Sequence, residues 1–348
     1  MPAEADRILL TGGAGYIGSH TYLALVEAGY APVILDDFSN SSPEVIDRLA
    51  ELSGAPVVLE QGDVGDGAFL AALFVRHRIA AAIHFAAFKS PAESVAKPLA
   101  YYRNNLLGLI SLAEAMTAAG CRNLVFSSSA AVYGADAAMP VTEQAARMPA
   151  NPYGHTKAVG EDMLAALAAS DPGWRIAILR YFNPAGAHPS GRIGESPIGP
   201  PANLVPFVSQ VAAGRRPVLK VFGEDYPTPD GTGVRDYIHV LDLAEGHVAA
   251  LRHLLGGGAG GIFNLGTGRG HSVREVVRAF ERACGHSIPI EIAPRRPGDV
   301  AVSYADAGRA ARILDWRASR TLDAMCEDAW RWQSANPDGF ALLKKGSP

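Results

Sequence analysis

The chain is poor in cysteine: Cys121, Cys284 and Cys326 are the only ones in 348 residues. They are odd in number, far apart and without a Cys-x-x-Cys pair. A disulfide framework and a cysteine zinc site are therefore excluded, and reduced thiols are expected. Basic charge is not in excess, with 31 Lys and Arg against 35 Asp and Glu and a formal net charge of −4. No Lys/Arg run forms a stripe, so nucleic acid is not an expected partner. No apolar run reaches the ~18 residues of a membrane span. The opening Met-Pro-Ala-Glu-Ala-Asp is acidic with no apolar segment, so neither leader nor membrane partner is expected, and the compartment is expected to be cytoplasmic. No internal repeat and no metal-ligand cluster stand out.

What is present is an ordinary globular balance, 48% apolar and 19% charged, able to bury a substantial core. The length suits one large domain or two intimate ones. Short apolar runs read as buried parallel strands: Arg7–Leu10, Pro32–Leu35, Val57–Glu60, Ala81–Phe85, Asn123–Phe126 and Arg175–Arg180. Helical spacing separates them, as in Ser19–Ala28, where Gly29 is the stop. Strand and helix in alternation predict a parallel sheet with right-handed crossovers. After Tyr181 the texture changes to Pro- and Gly-rich sequence through residue 235, and helical patterns return at Val273–Cys284 and Thr321–Ser334. The expected organisation is a doubly wound α/β domain over residues 1–182 with a returning segment at about 236–268. A smaller, partly interleaved C-terminal α/β substrate domain is expected over 183–235 and 269–343, with 344–348 as a tail.

Thr11-Gly12-Gly13-Ala14-Gly15-Tyr16-Ile17-Gly18 lies between the first strand and first helix. Glycines there permit a tight turn, let backbone approach a pyrophosphate, and let helix pack on strand, while the helix N-terminus faces the phosphate charge. Asp36, 18 residues after Gly18 at the end of the second strand, sits near the ~20 expected of a ribose-binding carboxylate. It accepts from ribose hydroxyls and repels a 2′-phosphate, which favours NAD over NADP. Asp63, after the third strand, reads either as an adenine ligand or as a helix N-cap.

Tyr153 and Lys157 are four residues apart, and on a helix they share a face. A cation near a phenol favours phenolate and lowers its pKa, and the positive ring of an oxidised nicotinamide pushes the same way. A tyrosine so tuned serves as a general base. Ser127–Gly134 comes at the C-terminal end of the fifth strand, the edge at which such sheets bind ligands. Ser129 is placed to hydrogen-bond a reacting hydroxyl. Asn104, on a helical segment, reads either as a solvated helix residue or as a group positioning the cofactor or the lysine.

This set resembles the extended short-chain dehydrogenase/reductase family on a Rossmann-type sheet, and within it the UDP-galactose 4-epimerases. The resemblance covers nearly the whole chain: Gly12–His20, His84–Lys89, Tyr101–Asn105, Ser127–Gly134, Asn151–Tyr153, Tyr181–Gly191, Gly231–Val240 and Pro294–Asp299. The last three stretches are far more specific than a glycine run. The resemblance implies bound NAD touched by Gly12, Gly15, Tyr16, Ile17, Gly18, Asp36, Asn40, Asp63, Val64, Phe85, Ala86, Lys89, Asn104, Tyr153, Lys157, Tyr181 and Phe182. It implies Tyr153 and Ser129 as the acid/base pair with Lys157. It implies a UDP-hexose held by Lys89, Ser129, Tyr153, Asn183, Asn203, Leu204, Phe222, Arg235, Arg296, Asp299 and Ser303. Arginine forks pair bidentately with phosphate oxygens; as surface residues Arg235 and Arg296 read otherwise as salt-bridge partners. One departure is Asp37, where the family often has Asn, which adds charge near the adenosine.

The implied reaction oxidises C4 of the sugar, turns the 4-keto intermediate within the site and returns the hydride to the opposite face. A 4,6-dehydratase on the same scaffold carries Asp-Glu after the Ser/Thr; here Ala130 and Ala131 stand there, so elimination lacks its groups. A uronate or pentose 4-epimerase is a nearer alternative. A non-catalytic NAD sensor would be free to lose Tyr153, Lys157 or Ser129, and all three are present. Ser303, small where some relatives have tyrosine, leaves room for a 2-acetamido group, and reads otherwise as a loop serine. Helical segments Asn104–Ala119 and Tyr153–Ala169 are Ala- and Leu-rich, and pairing across a two-fold axis would make a homodimer.

Overall fold

A computed structural model describes residues 5–296 and 298–340; the expected tail at 344–348 lies outside the described residues. The first half alternates strand and helix: β1 (Arg7–Thr11), α1 (Tyr16–Glu27), β2 (Ala31–Asp36), α2 (Glu44–Ser53), β3 (Val58–Gln61), α3 (Gly67–His77), β4 (Ala81–His84), α4 (Pro91–Ala96), α5 (Pro98–Ala118), β5 (Asn123–Ser129), α6 (Pro152–Ser170) and β6 (Arg175–Tyr181). There follow β7 (Asn183–Ala185), α7 (Leu204–Ala212), β8 (Leu219–Phe222), β9 (Val234–His239), α8 (Val240–Leu255), β10 (Gly261–Leu265), β11 (Gly270–Ser272), α9 (Val273–Cys284), β12 (Ile290–Ala293), β13 (Val302–Ser303), α10 (Gly308–Ile313) and α11 (Leu322–Ala335).

Seven strands form one sheet in the order β10-β6-β5-β4-β1-β2-β3, every pair parallel. This is the doubly wound Rossmann-type order with one strand added, and its direction reverses between β1 and β4, the position at which such sheets open a ligand crevice. Side chains alternate between the two faces, as the period of two requires. Ile8, Leu10 and Ile34 enter the core layer that contains Leu243, Leu251 and Leu254 of α8. Leu9, Val33 and Leu35 enter the opposite layer, with Leu70, Leu109 and Leu164 of α3, α5 and α6. Both faces are covered, which is why the strands read as unbroken apolar runs rather than alternating ones.

The seventh strand, β10, is not legible as a strand in the sequence. It follows the glycine cluster Gly256–Gly261, and it pairs with β6 along Ile262↔Ile178 and Phe263↔Leu179. The chain after β6 also builds a four-stranded sheet from β7, β9, β11 and β13, and a two-stranded one from β8 and β12. A separate apolar layer including Val208, Phe280 and Met325 joins α7, α9 and α11. Helix α9 starts on a complete capping box: the Ser272 hydroxyl accepts from Glu275 N at 3.1 Å and the Glu275 carboxylate accepts from Ser272 N at 2.7 Å.

Candidate active site

A cleft of about 550 Å³ runs along the C-terminal ends of β1, β2, β4, β5 and β6 and beside β7, β9 and β13 of the four-stranded sheet. Its floor is the turn from β1 into α1. Gly12 has φ +70°, and a Cβ there would stand 2.8 Å from Ala86 N. A Cβ on Gly18 would stand 2.5 Å from the Gly12 carbonyl oxygen and 2.7 Å from Gly13 Cα. Only glycine lets the turn close against the strand and bring backbone to the cleft. Helix α1 begins at Gly15 without a side-chain cap, so its first amide groups are left to the cleft, a site suited to an anion.

Asp36 ends β2 on the cleft wall, 7% exposed. Its Oδ2 accepts from Ala14 N at 2.9 Å, and its Oδ1 accepts from Phe38 N at 3.0 Å and Ser41 Oγ at 2.7 Å. Burial raises its pKa, and these three donors pull it back. The carboxylate is thereby fixed in orientation with a lone pair left on Oδ2 for a diol. Asp63 also lines the cleft, and its Oδ1 accepts from Gly65 N at 2.7 Å. It does not cap the next helix: Asp66 does, accepting from Phe69 N at 3.0 Å. Glycine turn, uncapped helix start and buried carboxylate together fit a dinucleotide.

The reacting end is built where β5 meets α6. Asn151 caps α6 by accepting from Gly154 N at 2.9 Å, and Pro152 takes the first helical position. This places Tyr153 and Lys157 one turn apart facing the end of β5. Ser129 Oγ accepts from Ala131 N at 3.1 Å. Its own proton is thus left free toward the Tyr153 phenol, whose pKa it draws down. Lys157 Nζ donates to Ser127 O at 2.6 Å, and burial lowers its pKa to about 8 while Glu161 opposes the drop.

The phenol differs from the expectation built on Lys157. Burial pushes the Tyr153 pKa up, and the groups that draw it down are Ser129 and the Lys89 ammonium. Sequence spacing makes Lys157 the neighbouring cation. In the fold the Lys157 ammonium donates to the Ser127 carbonyl of β5, and Lys89, from the loop after β4, also draws the phenol pKa down.

Lys89 Nζ donates to Glu195 Oε1 at 3.0 Å, and Asn203 Nδ2 donates to the same oxygen at 3.3 Å. At the far end, Arg235 Nη2 lies 3.6 Å from Asp299 Oδ1, and Arg296 Nε donates to Asp299 Oδ2 at 2.9 Å. One carboxylate spaces two guanidinium forks, an arrangement matched to a diphosphate. Both arginines are thus salt-bridge partners of Asp299. Arg296 stacks over Phe222, its guanidinium carbon 4.7 Å from the ring centroid.

All the residues expected to touch cofactor line this cleft, as do Asn183, Asn203, Arg235, Asp299 and Ser303; Leu204, Phe222 and Arg296 stand outside its lining. Ser303 pairs in register with Arg235 between β13 and β9, which brings it to the wall. Sequence reasoning missed Glu195, Ser41, Tyr133 and Phe340, which also line it. Ser41 and Phe340 carry no motif, Tyr133 stands only within a matching stretch, and Glu195 lies four residues beyond the run Tyr181–Gly191. Ala130 and Ala131 line the cleft beside Ser129 and bring no acid or base. Among the described residues, no group of three or more His, Cys, Asp or Glu side chains could hold a metal ion, and no helix is long and apolar enough to cross a membrane.

Comparison with known proteins agrees with this geometry. Residues 9–329 match a family model described as GDP-mannose 4,6 dehydratase. The chain is 54% identical over 334 residues to the UDP-glucose 4-epimerase of Yersinia pestis, covering 96% of this chain and 99% of that one. Its fold is similar to the UDP-glucose 4-epimerase of Stenotrophomonas maltophila, solved with NAD and formylated UDP-arabinopyranose, at TM-score 0.94 and 51% identity, covering 95% and 99% of the two chains. It is likewise similar to that of Bifidobacterium longum, solved with NAD+ and UDP, at TM-score 0.92 and 47% identity, covering 96% and 100%.

Proposed function

This chain belongs to the UDP-glucose 4-epimerase family, and we propose that Tyr153, Ser129 and Lys157 are the residues with which it inverts C4 of UDP-galactose and UDP-glucose. The observation that carries the assignment is that Tyr153, Ser129 and Lys157 line one cleft at the end of β5, and that this cleft joins a dinucleotide turn to Arg235 and Asp299. NAD supplies the hydride acceptor and donor at C4. Gly12, Gly15, Tyr16, Ile17, Gly18, Asp36, Asp63 and Lys157 would hold it. Tyr153 as phenolate takes the proton of the C4 hydroxyl, Ser129 aligns that hydroxyl, and the proton returns from the phenol when C4 is reduced. Arg235, Arg296, Asp299 and Asn203 keep the diphosphate and ribose held while the sugar turns. The same geometry disfavours a dehydratase, since Ala130 and Ala131 can neither donate nor take a proton.

The test is to give purified protein UDP-galactose with no NAD added and to read products by NMR. UDP-glucose is the expected product, because a cofactor reduced and reoxidised in one cycle has no need to leave. No conversion even after NAD is supplied would overturn the reading in favour of a uronate or pentose substrate. Gly18→Ala should purify with NAD content lowered at least about tenfold, since the displaced turn loses its backbone contacts with the pyrophosphate; an unchanged content would sink the assignment of that turn.

In finer detail, the substrate domain comprises, among the described residues, 183–235 and 269–340 beside the large-sheet domain. The open wall at Ser303 admits a 2-acetamido group, so UDP-N-acetylgalactosamine and UDP-N-acetylglucosamine are also interconverted. Ser303→Tyr should remove at least about 90% of the N-acetyl activity and spare UDP-galactose, the bulk of one aromatic ring standing where the acetamido group lies; loss of both activities, or of neither, refutes it. The protein is a cytoplasmic homodimer pairing α5 and α6 across a two-fold axis. Support comes from Leu99, Leu107 and Ile110 on α5, which are 81%, 47% and 39% exposed in the single chain, apolar surface that a partner would cover.

A further inference from the structure

We propose that Arg48 is a positioning residue for the cofactor: it pins the loop at residues 186–203 to α2, and this pin must open before the dinucleotide can enter or leave the cleft. The inference rests on the dinucleotide part of the reading above and extends it. Between β7 and α7 the chain runs from 186 to 203 with no strand or helix of its own. Loops beyond ~12–15 residues are uncommon in compact domains and usually serve as lids or binding segments. Residues 194–197 of this loop line the cleft, and so do residues 39–42, which lead into α2. One cleft thus has a wall from the large-sheet part and a wall from a loop with no ladder to hold it.

Arg48 ties the two walls together. It stands one turn into α2, its side chain 12% exposed. Its Nη1 donates to the Arg192 carbonyl at 2.7 Å and to Asn336 Oδ1 at 2.7 Å, and its Nη2 donates to Glu44 on its own helix. The guanidinium carbon lies 5.4 Å from the Trp332 ring centroid and 4.9 Å from that of Phe340. A planar fork that donates at its edge while its carbon meets two rings is a task for arginine and not for lysine. The partners hold the loop in turn. Asn336 Nδ2 donates to Gly191 O at 2.9 Å, and Trp332 Nε1 donates to Glu195 O at 3.2 Å. A Cβ on Gly194 would stand 2.3 Å from Trp332 Cγ, so the loop lies flat on that ring. Phe340 N donates to Ser196 Oγ at 3.1 Å, and Phe340 lines the cleft itself.

Other ties of the loop to the large-sheet part sit at its root, where Tyr16 Oη donates to Gly186 O at 2.6 Å, or use cations that are about half exposed, in the pairs Lys89–Glu195 and Arg192–Glu51. Exposed pairs are screened by salt and worth little. The sheltered guanidinium is what holds the middle of the loop. Loosening such a pin raises the fraction of time the loop stands open. Entry and exit of the dinucleotide then quicken together, and their ratio, the affinity, stays put while the closed form still dominates. A residue that only touched bound dinucleotide would instead change exit and affinity together. A residue that only held the fold would lower the thermal midpoint and leave exchange alone.

The test transfers NAD-loaded protein into excess isotopically labelled NAD and follows the approach to full label, with no sugar present. Equilibrium dialysis against graded NAD gives the affinity. Arg48→Leu should speed exchange at least about tenfold, the factor that one charge-assisted hydrogen bond carries, with affinity within about threefold of the parent. Arg48→Lys keeps the charge, loses the fork, and should fall between. Asn336→Ala removes a partner that lies outside the cleft lining, and should speed exchange by a smaller factor. The double variant of Arg48→Leu with Asn336→Ala should gain less than the product of the two, because they share a bond. Exchange at the parent rate in Arg48→Lys and Asn336→Ala would overturn the proposal, as would an affinity that falls in step with faster exchange. A parent that retains NAD but does not convert UDP-galactose would sink the epimerase reading and leave the exchange result standing. A parent that holds no NAD would overturn both.

Discussion

Tyr153→Phe should lower kcat for UDP-galactose by roughly 10²–10⁴-fold, the range a positioned general base contributes, with UDP affinity close to that of the parent. Phenylalanine keeps the ring and loses only the oxygen proposed to take the C4 proton. The side chain sits in the first turn of a helix capped by Asn151, and neither that cap nor the Arg235–Asp299–Arg296 array depends on the phenol. The loss should therefore fall on kcat and leave diphosphate binding alone. The sign of the pH response follows from the same surroundings. Burial raises the phenol pKa, and Ser129 and Lys89 lower it again. The parent rate should rise with pH along an acid limb as phenolate forms, and the residual rate of the variant should lack that limb. Steady-state kinetics, with UDP binding by calorimetry, decides it. A variant with the parent's rate would remove Tyr153 from the chemistry.

Arg180→Met should destabilise the protein by about 3–5 kcal/mol, the cost of leaving one member of a buried ion pair alone. Arg180 is 1% exposed and Glu161 2%. The guanidinium grips the carboxylate with two donors, Nε to Oε1 at 2.9 Å and Nη2 to Oε2 at 2.6 Å. Ser128 Oγ donates to Oε1 at 2.6 Å, while Arg180 Nη1 donates to Tyr133 Oη at 3.0 Å and Glu143 O at 3.1 Å. The pair thus ties β5, β6, α6 and the segment after β5 together, directly behind Ser129 and Lys157. With Arg180 gone, the nearest cation to Glu161 is Arg147 at 3.4 Å, itself partly exposed. Urea unfolding of the NAD-loaded protein at fixed NAD measures the loss as a lowered midpoint at constant slope. Replacing both members, as Glu161→Leu with Arg180→Met, should cost less than Arg180→Met alone, because no charge is stranded. A single variant within about 0.5 kcal/mol of the parent would mean that the network does not hold these elements together.

Much of this architecture is legible in the amino-acid order. The six runs read as strands are strands of the large sheet; in all but the edge strand β3, whose residues are not buried, burial on both faces demands continuous apolar sequence. The crevice at the β1–β4 reversal is legible through its glycines and Asp36, because a tight turn and a ribose carboxylate follow each other at a nearly constant chain distance. The tyrosine, its lysine and Ser129 are legible because helix periodicity and strand ends are local properties. The seventh strand is hidden behind a run of glycines that signals loop, and its pairing with β6 is a long-range choice. Glu195 is hidden because no periodicity runs through the loop after β7, and its partners Lys89 and Trp332 lie 106 and 137 residues away in the chain.

By itself, then, the amino-acid order determined the alternating architecture, the glycine turn, the Tyr153–Lys157 helix and the family, all features written in short spacings that local sterics and hydrogen bonding enforce. Only the tertiary structure decided the electrostatics of the reacting end. It turned Lys157 onto the backbone of β5, paired Lys89 with Glu195, and set Asp299 between two arginines. Charges act through space and burial, and neither distance nor burial can be counted along a chain.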